Sequence, residues 1–218
     1  MTNQALSTVD CLTVEAEDIT AADDFYAALG LGEQVRVHAA AEPTTGFRGF
    51  TVSLVVSQPS TVDALVAVAL EAGGTALKPV KKGFWGYGGV VAAPDGAIWK
   101  VATSAKKDTG PANREIDSIV LLLGAADVAA SKRFYTERGL EVGKSFGSRY
   151  VEFATPSSPI KLALYRRAGL AKDAGVPADG SGSHRLVIGG AAGSFADPDG
   201  FAWEPAPVAG SVPAAAAA

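Results

Sequence analysis

The sequence states one pattern twice. Phe25-Tyr26-Ala27-Ala28-Leu29-Gly30-Leu31 recurs as Phe134-Tyr135-Thr136-Glu137-Arg138-Gly139-Leu140. Pro94-Asp95-Gly96-Ala97-Ile98-Trp99-Lys100 recurs as Pro198-Asp199-Gly200-Phe201-Ala202-Trp203-Glu204. The two markers keep their order and nearly their spacing, which indicates an internal duplication. A chain of 218 residues then divides into two units, 8–104 and 115–206, joined by a polar linker, 105–114, that contains Gly110-Pro111. The alanine-rich tail, 207–218, is expected to be disordered.

Bulk properties narrow the partners. The chain is 48% hydrophobic and 19% charged, and it has no apolar run long enough to span a bilayer, so no membrane partner is expected. A net charge of -4 argues against nucleic acid, which needs a basic surface. Cys11 is the sole cysteine, so no internal disulfide can form. The N-terminus has neither a basic nor an apolar targeting region, and a cytoplasmic protein is the expectation.

Periodicity gives the elements of each unit. Asp10–Ala16 reads as a strand, and a helix follows from Asp18 or Thr20, either of which can cap it, to Gly30, which ends it. Strands are expected at Gln34–His38 and Gly49–Val56, then a helix over Thr61–Ala72, then short strands at Thr75–Leu77, Gly88–Ala92 and Ile98–Ala102. The second unit repeats the order: strand Ile116–Leu123, helix Asp127–Arg138, strands Glu141–Lys144, Arg149–Ala154 and Lys161–Tyr165. Ala168–Ser183, rich in Gly, Pro and Ala, reads as a long loop, and Gly189–Gly193 as a tight hairpin between the last strands. Many strands and few helices predict an α+β fold with curved, mainly antiparallel sheets.

A strand, then D-x-x-x-A-x-x-F-Y-x-x-x-x-G-L, then D-P-D-G-x-x-W-E, resembles the vicinal oxygen chelate superfamily: glyoxalases, bleomycin-resistance proteins and extradiol dioxygenases. The resemblance implies tandem βαβββ modules that form cup-shaped sheets around a small-molecule cavity. It also implies metal ligands at four positions, and here those positions hold Cys11, Lys100, Ser118 and Glu204. Only Glu204 is the family's residue, and His184 lies where some members have a further ligand. Lys100 has no lone pair to offer when charged and repels a cation. The implied metal centre is therefore expected to be absent, and no other cofactor is expected. The halves are also truncated in complementary ways, so the two cups cannot be equivalent.

Candidate site residues follow. Phe84, Trp85 and Tyr87 lie beside glycines near the expected cup mouth, where aromatics stack on planar ligands. Trp99 and Trp203, after the repeated turn, read as core. His38, Arg48 and Tyr150 lie on predicted strands whose faces the sequence leaves open. Glu204 is the candidate general base, with His184, Arg48 or Lys100 as electrophilic partners. Three readings result. The first is a metal-independent binding protein for a small flat or aromatic molecule, acting by sequestration or as a lyase or isomerase. The second is a metal-dependent glyoxalase or dioxygenase with an atypical ligand set, and the third a degenerate structural duplicate. Either a monomer or a homodimer fits.

Overall fold

The repeat units exchange strands. The computed structural model describes residues 6, 8–83, 86–190 and 193–206. The first half runs β1 (Cys11–Ala16), α1 (Ile19–Ala28), β2 (Val35–Ala39), β3 (Thr44–Gly46), β4 (Phe50–Val55), α2 (Pro59–Glu71), β5 (Thr75–Gly83), β6 (Gly86–Ala92) and β7 (Ile98–Thr103). The second runs β8 (Ser118–Ala125), α3 (Val128–Glu137), β9 (Glu141–Phe146), β10 (Tyr150–Ala154), β11 (Ile160–Arg166), α4 (Arg167–Ala174), β12 (Gly180–Gly182), β13 (Leu186–Gly190), β14 (Phe195–Ala196) and β15 (Ala202–Pro205). Asp18 and Asp127 cap α1 and α3 through their carboxylates, and Pro59 opens α2, where a missing N–H costs nothing.

An eight-stranded sheet has the order β5-β6-β7-β4-β8-β11-β10-β9, and a five-stranded sheet the order β14-β15-β13-β1-β2. The larger sheet joins two intact βαβββ modules, β4-α2-β5-β6-β7 and β8-α3-β9-β10-β11, through the antiparallel β4–β8 pair. Within each module the first and last strands lie side by side and parallel. The smaller sheet joins the truncated remainders through the antiparallel β1–β13 pair. Complementary truncation of the halves thus yields one complete sheet and one reduced sheet. Pairing is mainly antiparallel, as expected for this α+β class.

Two expectations are corrected. Arg167–Ala174 is not loop but the helix α4, which ends at Gly175 in the left-handed region (φ 86°) that glycine tolerates. Gly189–Gly193 is not a tight hairpin, because β15 inserts between β13 and β14; residues 191–192 lie outside the described residues, as does the tail 207–218.

One continuous core joins the helices α1, α2 and α3 to one face of each sheet. It contains Trp99 and Trp203, fully buried as the repeat predicts, together with Phe25, Tyr26 and Tyr135. Alternation sends Leu121, Leu123, Leu162 and Leu164 into this core. Each such side chain contributes about 2 kcal/mol of burial. The intervening residues of the eight-stranded sheet face the other way, and we call that face the inner face. Among the described residues no helix is long and apolar enough to cross a membrane.

Candidate functional site

The inner face of the eight-stranded sheet carries a second, smaller core. Val90, Ile98 and Phe47 pack there against Leu170, Ala171 and Ala174 of α4, with Leu122 and Tyr165 alongside. α4 therefore lies across the middle of the sheet, on the opposite side from α2 and α3. Its neighbours on either flank remain open. On one flank a groove of about 230 Å³ is lined by Lys78, Lys81, Lys100 and Asp173, with Gly86 and Gly88 among its walls. Next to it an apolar cleft of about 310 Å³ is lined by Phe47, Leu77, Ile98, Val176 and Pro177.

Lys100 sits at a position for which the resemblance implies a carboxylate ligand. Its Nζ donates to Asp173 Oδ2 of α4 at 2.7 Å. Lys78 Nζ donates to the Lys172 and Asp173 carbonyls at 2.8 and 2.5 Å. The last turn of α4, where unpaired carbonyls concentrate negative potential, is thus held by two ammonium groups.

The other flank is aromatic. Tyr150 alternates with the core residues Val151 and Phe153 and so lies on the inner face. Its ring is 5.9 Å from Phe146 and 6.0 Å from Tyr165, centroid to centroid. Phe146 is 65% exposed. Tyr150 donates to Glu152 Oε2 at 2.8 Å, and Glu152 pairs with Lys144 at 3.4 Å. Burial, with the added effect of that carboxylate, pushes the Tyr150 phenol well above its usual range.

Strand pairing joins the four positions of the implied metal centre across the halves. Cys11 pairs with Gly189, and Gly189 with Glu204, in the five-stranded sheet. Lys100 pairs with Ser53, and Ser118 with Val55 two residues further along β4, in the eight-stranded sheet. Cys11 is buried, and burial raises its thiol. Gly189 makes room for it, since a Cβ there would come within 2.5 Å of Cys11 Sγ. Glu204 is exposed, not sunk among apolar neighbours as its role as a neutral-pH base anticipates. A metal needs about three converging ligands. Among the described residues no group of three or more His, Cys, Asp or Glu side chains is placed to hold one. One sheet offers a lysine and a serine, the other a thiol and a carboxylate, and neither donor set fits the family's ion.

The remaining candidates are dispersed. His184 stacks on Phe201 at 4.0 Å, and its Nδ1 and Nε2 face the carbonyls of Arg48 and Asp199 at 2.5 and 3.0 Å. Set between these two carbonyls and donating to one of them, the ring lies between the approach to β4 and the turn before β15. Arg48 donates to the Asp95 carbonyl, and burial lowers its pKa. Tyr87 packs on the helix side of the sheet, and its hydroxyl donates to Asp63 of α2 at 2.8 Å. His38 is exposed on β2 of the smaller sheet. Phe84 and Trp85 lie outside the described residues. Phe146, Tyr165, Lys78 and Asp173 escaped the sequence reading, although the alternation of Tyr150 with Val151 marks the aromatic flank.

No protein-family profile matches the sequence, and no curated protein sequence does. Solved structures do resemble it. Glyoxalase I from Zea mays covers 90% of this chain and 90% of its own, with a TM-score of 0.57 and 15% identity. A point mutant of that maize enzyme gives a TM-score of 0.59 at 13% identity, covering 90% of this chain and 92% of its own. A candidate dioxygenase from Bacillus subtilis covers 85% of this chain and 71% of its own, with a TM-score of 0.52 and 12% identity. At such identities the likeness carries the fold alone. The chain has a glyoxalase-like fold.

Proposed function

We propose that this chain is a glyoxalase-like small-molecule-binding protein. It takes a small flat or aromatic ligand on the inner face of the eight-stranded sheet, without a metal. The observation that supports this reading is the run Phe146, Tyr150 and Tyr165, with Phe146 left largely in solvent. An exposed aromatic beside two others offers a stacking platform for a planar molecule, each such contact being worth about 1 kcal/mol beyond area burial. The family's ion has no fitting donor set, so a sequestering or resistance-type role follows more directly than metal catalysis.

The test is a thermal-shift and tyrosine-fluorescence screen of planar aromatic compounds against the wild type and Phe146→Ala. A ligand that binds only the native state must raise Tm. The expected result is a hit whose shift is lost in Phe146→Ala. Hits indifferent to that substitution, or no hits, overturn the reading.

A second reading is favoured by the line Cys11–Gly189–Glu204. It is a lyase or isomerase in which Glu204 removes a proton next to a carbonyl. Glu204→Gln must then abolish solvent-deuterium exchange into a carbonyl substrate, and an unchanged rate refutes it.

A further inference from the structure

We propose that the groove beside α4 is an anion site. It binds a small organic carboxylate, and Asp173 fills it in the free protein. Three ammonium groups, from Lys78, Lys81 and Lys100, line the groove, and Asp173 is the one carboxylate among its lining residues. Lys100 holds that carboxylate, while Lys78 reaches only neutral carbonyls, at Lys172 and Asp173. Lys81 makes no side-chain hydrogen bond or ion pair among the described residues. The groove therefore carries more positive charge than its own carboxylate balances.

Asp173 is replaceable. The Lys100 and Asp173 side chains are 35% and 53% exposed. An ion pair so open to water is weak and screened by salt. A ligand carboxylate presents the same two oxygens to Lys100, and it can also accept from Lys78 or Lys81, which the tethered Asp173 side chain does not. Glycines 83, 86 and 88 also line the groove. Proline and valine (Pro79, Val90) supply the apolar wall that a hydrocarbon or aryl body needs. Strands β4 and β8 and the helix α4 separate this groove from the Phe146–Tyr150–Tyr165 platform, so it is a site of its own.

The test is calorimetric titration of the full chain carrying Phe146→Ala, which removes the aromatic platform, with benzoate at low salt and with benzamide as the uncharged isostere; every further variant is made in this background. The expected result is weak, salt-sensitive benzoate binding and none of benzamide. Asp173→Asn removes the internal competitor and tightens benzoate binding by up to about fivefold, the upper end for an exposed ion pair. Lys100→Gln and Lys81→Gln each weaken it, while Lys161→Gln, on the same sheet but outside the groove, leaves it unchanged. Lys81→Gln removes no hydrogen bond within the protein, so its effect is not one of folding. Benzoate binding that ignores Asp173→Asn and Lys100→Gln overturns the proposal, as does equal binding of benzamide or no binding to Asp173→Asn. Binding of neutral aromatics that depends on Phe146 survives any of these results, so the two sites fail separately.

Discussion

The Tyr135 hydroxyl donates to Asp197 Oδ2 at 2.7 Å, and this bond ties the two sheets together. Tyr135 lies on α3, which packs on β10 and β11 of the eight-stranded sheet, whereas Asp197 opens the turn into β15 of the five-stranded one. In the other half Tyr26 of α1 donates to Asp95, before β7, at 3.1 Å. The Phe-Tyr marker and the Pro-Asp-Gly marker recur together because each tyrosine finds its carboxylate at the other marker. The match is not residue for residue. Asp95 aligns with Asp199, but Tyr135 uses Asp197, and Asp199 instead takes the Ser131 hydroxyl at 2.6 Å.

Tyr135→Phe is expected to destabilise the fold by about 1–3 kcal/mol, since it leaves a buried acceptor short of a donor. It must cost more than Tyr26→Phe. Tyr135 also accepts from Trp203 Nε1 at 3.1 Å, and its bond to the carboxylate is the shorter. Urea unfolding of the two variants checks the order.

Stability should also respond to pH through Asp197. Burial pushes its carboxyl above the ordinary aspartate value, and the bonds from Tyr135 and the Phe201 amide pull back without cancelling this. A folded pKa above the unfolded one means that the native state prefers the protonated form. The contribution is complete below the unfolded value and is lost as pH rises through the folded one. The stability of wild type minus that of Asp197→Asn should therefore increase as pH falls from neutrality to about 4, near the unfolded pKa of an aspartate. A difference that is flat, or that increases with pH, contradicts the assignment.

The fold was legible in the sequence where one local signal sufficed. Gly49–Val56, Ile116–Leu123 and Lys161–Tyr165 read as strands and are β4, β8 and β11 to within two residues, and the helices expected after Asp18 or Thr20 and from Asp127 are α1 and α3. α4 was not legible. Its sequence, Arg-Ala-Gly-Leu-Ala-Lys-Asp-Ala, has a glycine inside and one large apolar residue, so its propensity is poor. Its helix exists because Leu170, Ala171 and Ala174 find Val90, Ile98 and Leu122 on the sheet, contacts remote in sequence. The site was legible only as residue types. Which way Tyr87 and Tyr150 point depends on a strand register that the chain sets through distant partners, and it sent Tyr87 to α2 and Tyr150 to the inner face.

His184→Ala should cost about 1–3 kcal/mol. It removes the ring's N–H bond to one of the two carbonyls it faces, of Arg48 and Asp199, and a ring stacked on Phe201. The loss is structural, so binding at the aromatic platform should persist at temperatures well below Tm. Ligand affinity measured in the cold separates the two effects, and lost affinity in a folded variant would give His184 a binding role.

The Cys11 thiol should be nearly inert in the native state. It is 5% exposed, and burial raises its pKa, so little thiolate forms near neutrality. Iodoacetamide near neutral pH should label it slowly, and much faster in urea. Rapid native labelling would mean that β1 and β13 part readily.

Leu170→Ala should loosen α4 without unfolding the rest. Leu170 is 2% exposed and is the one large apolar residue of the helix, so its truncation costs about 2–5 kcal/mol of local packing. The main core shares no residue with this smaller cluster. A helix of 8 residues has little stability of its own, so the loss should appear first as its detachment. Hydrogen exchange should therefore quicken sharply over 167–176, while the amides of β8 and α3 keep their protection. Uniform loss of protection across β8 and α3 would instead show that α4 is an integral part of the cooperative core, with no separate freedom to leave the inner face.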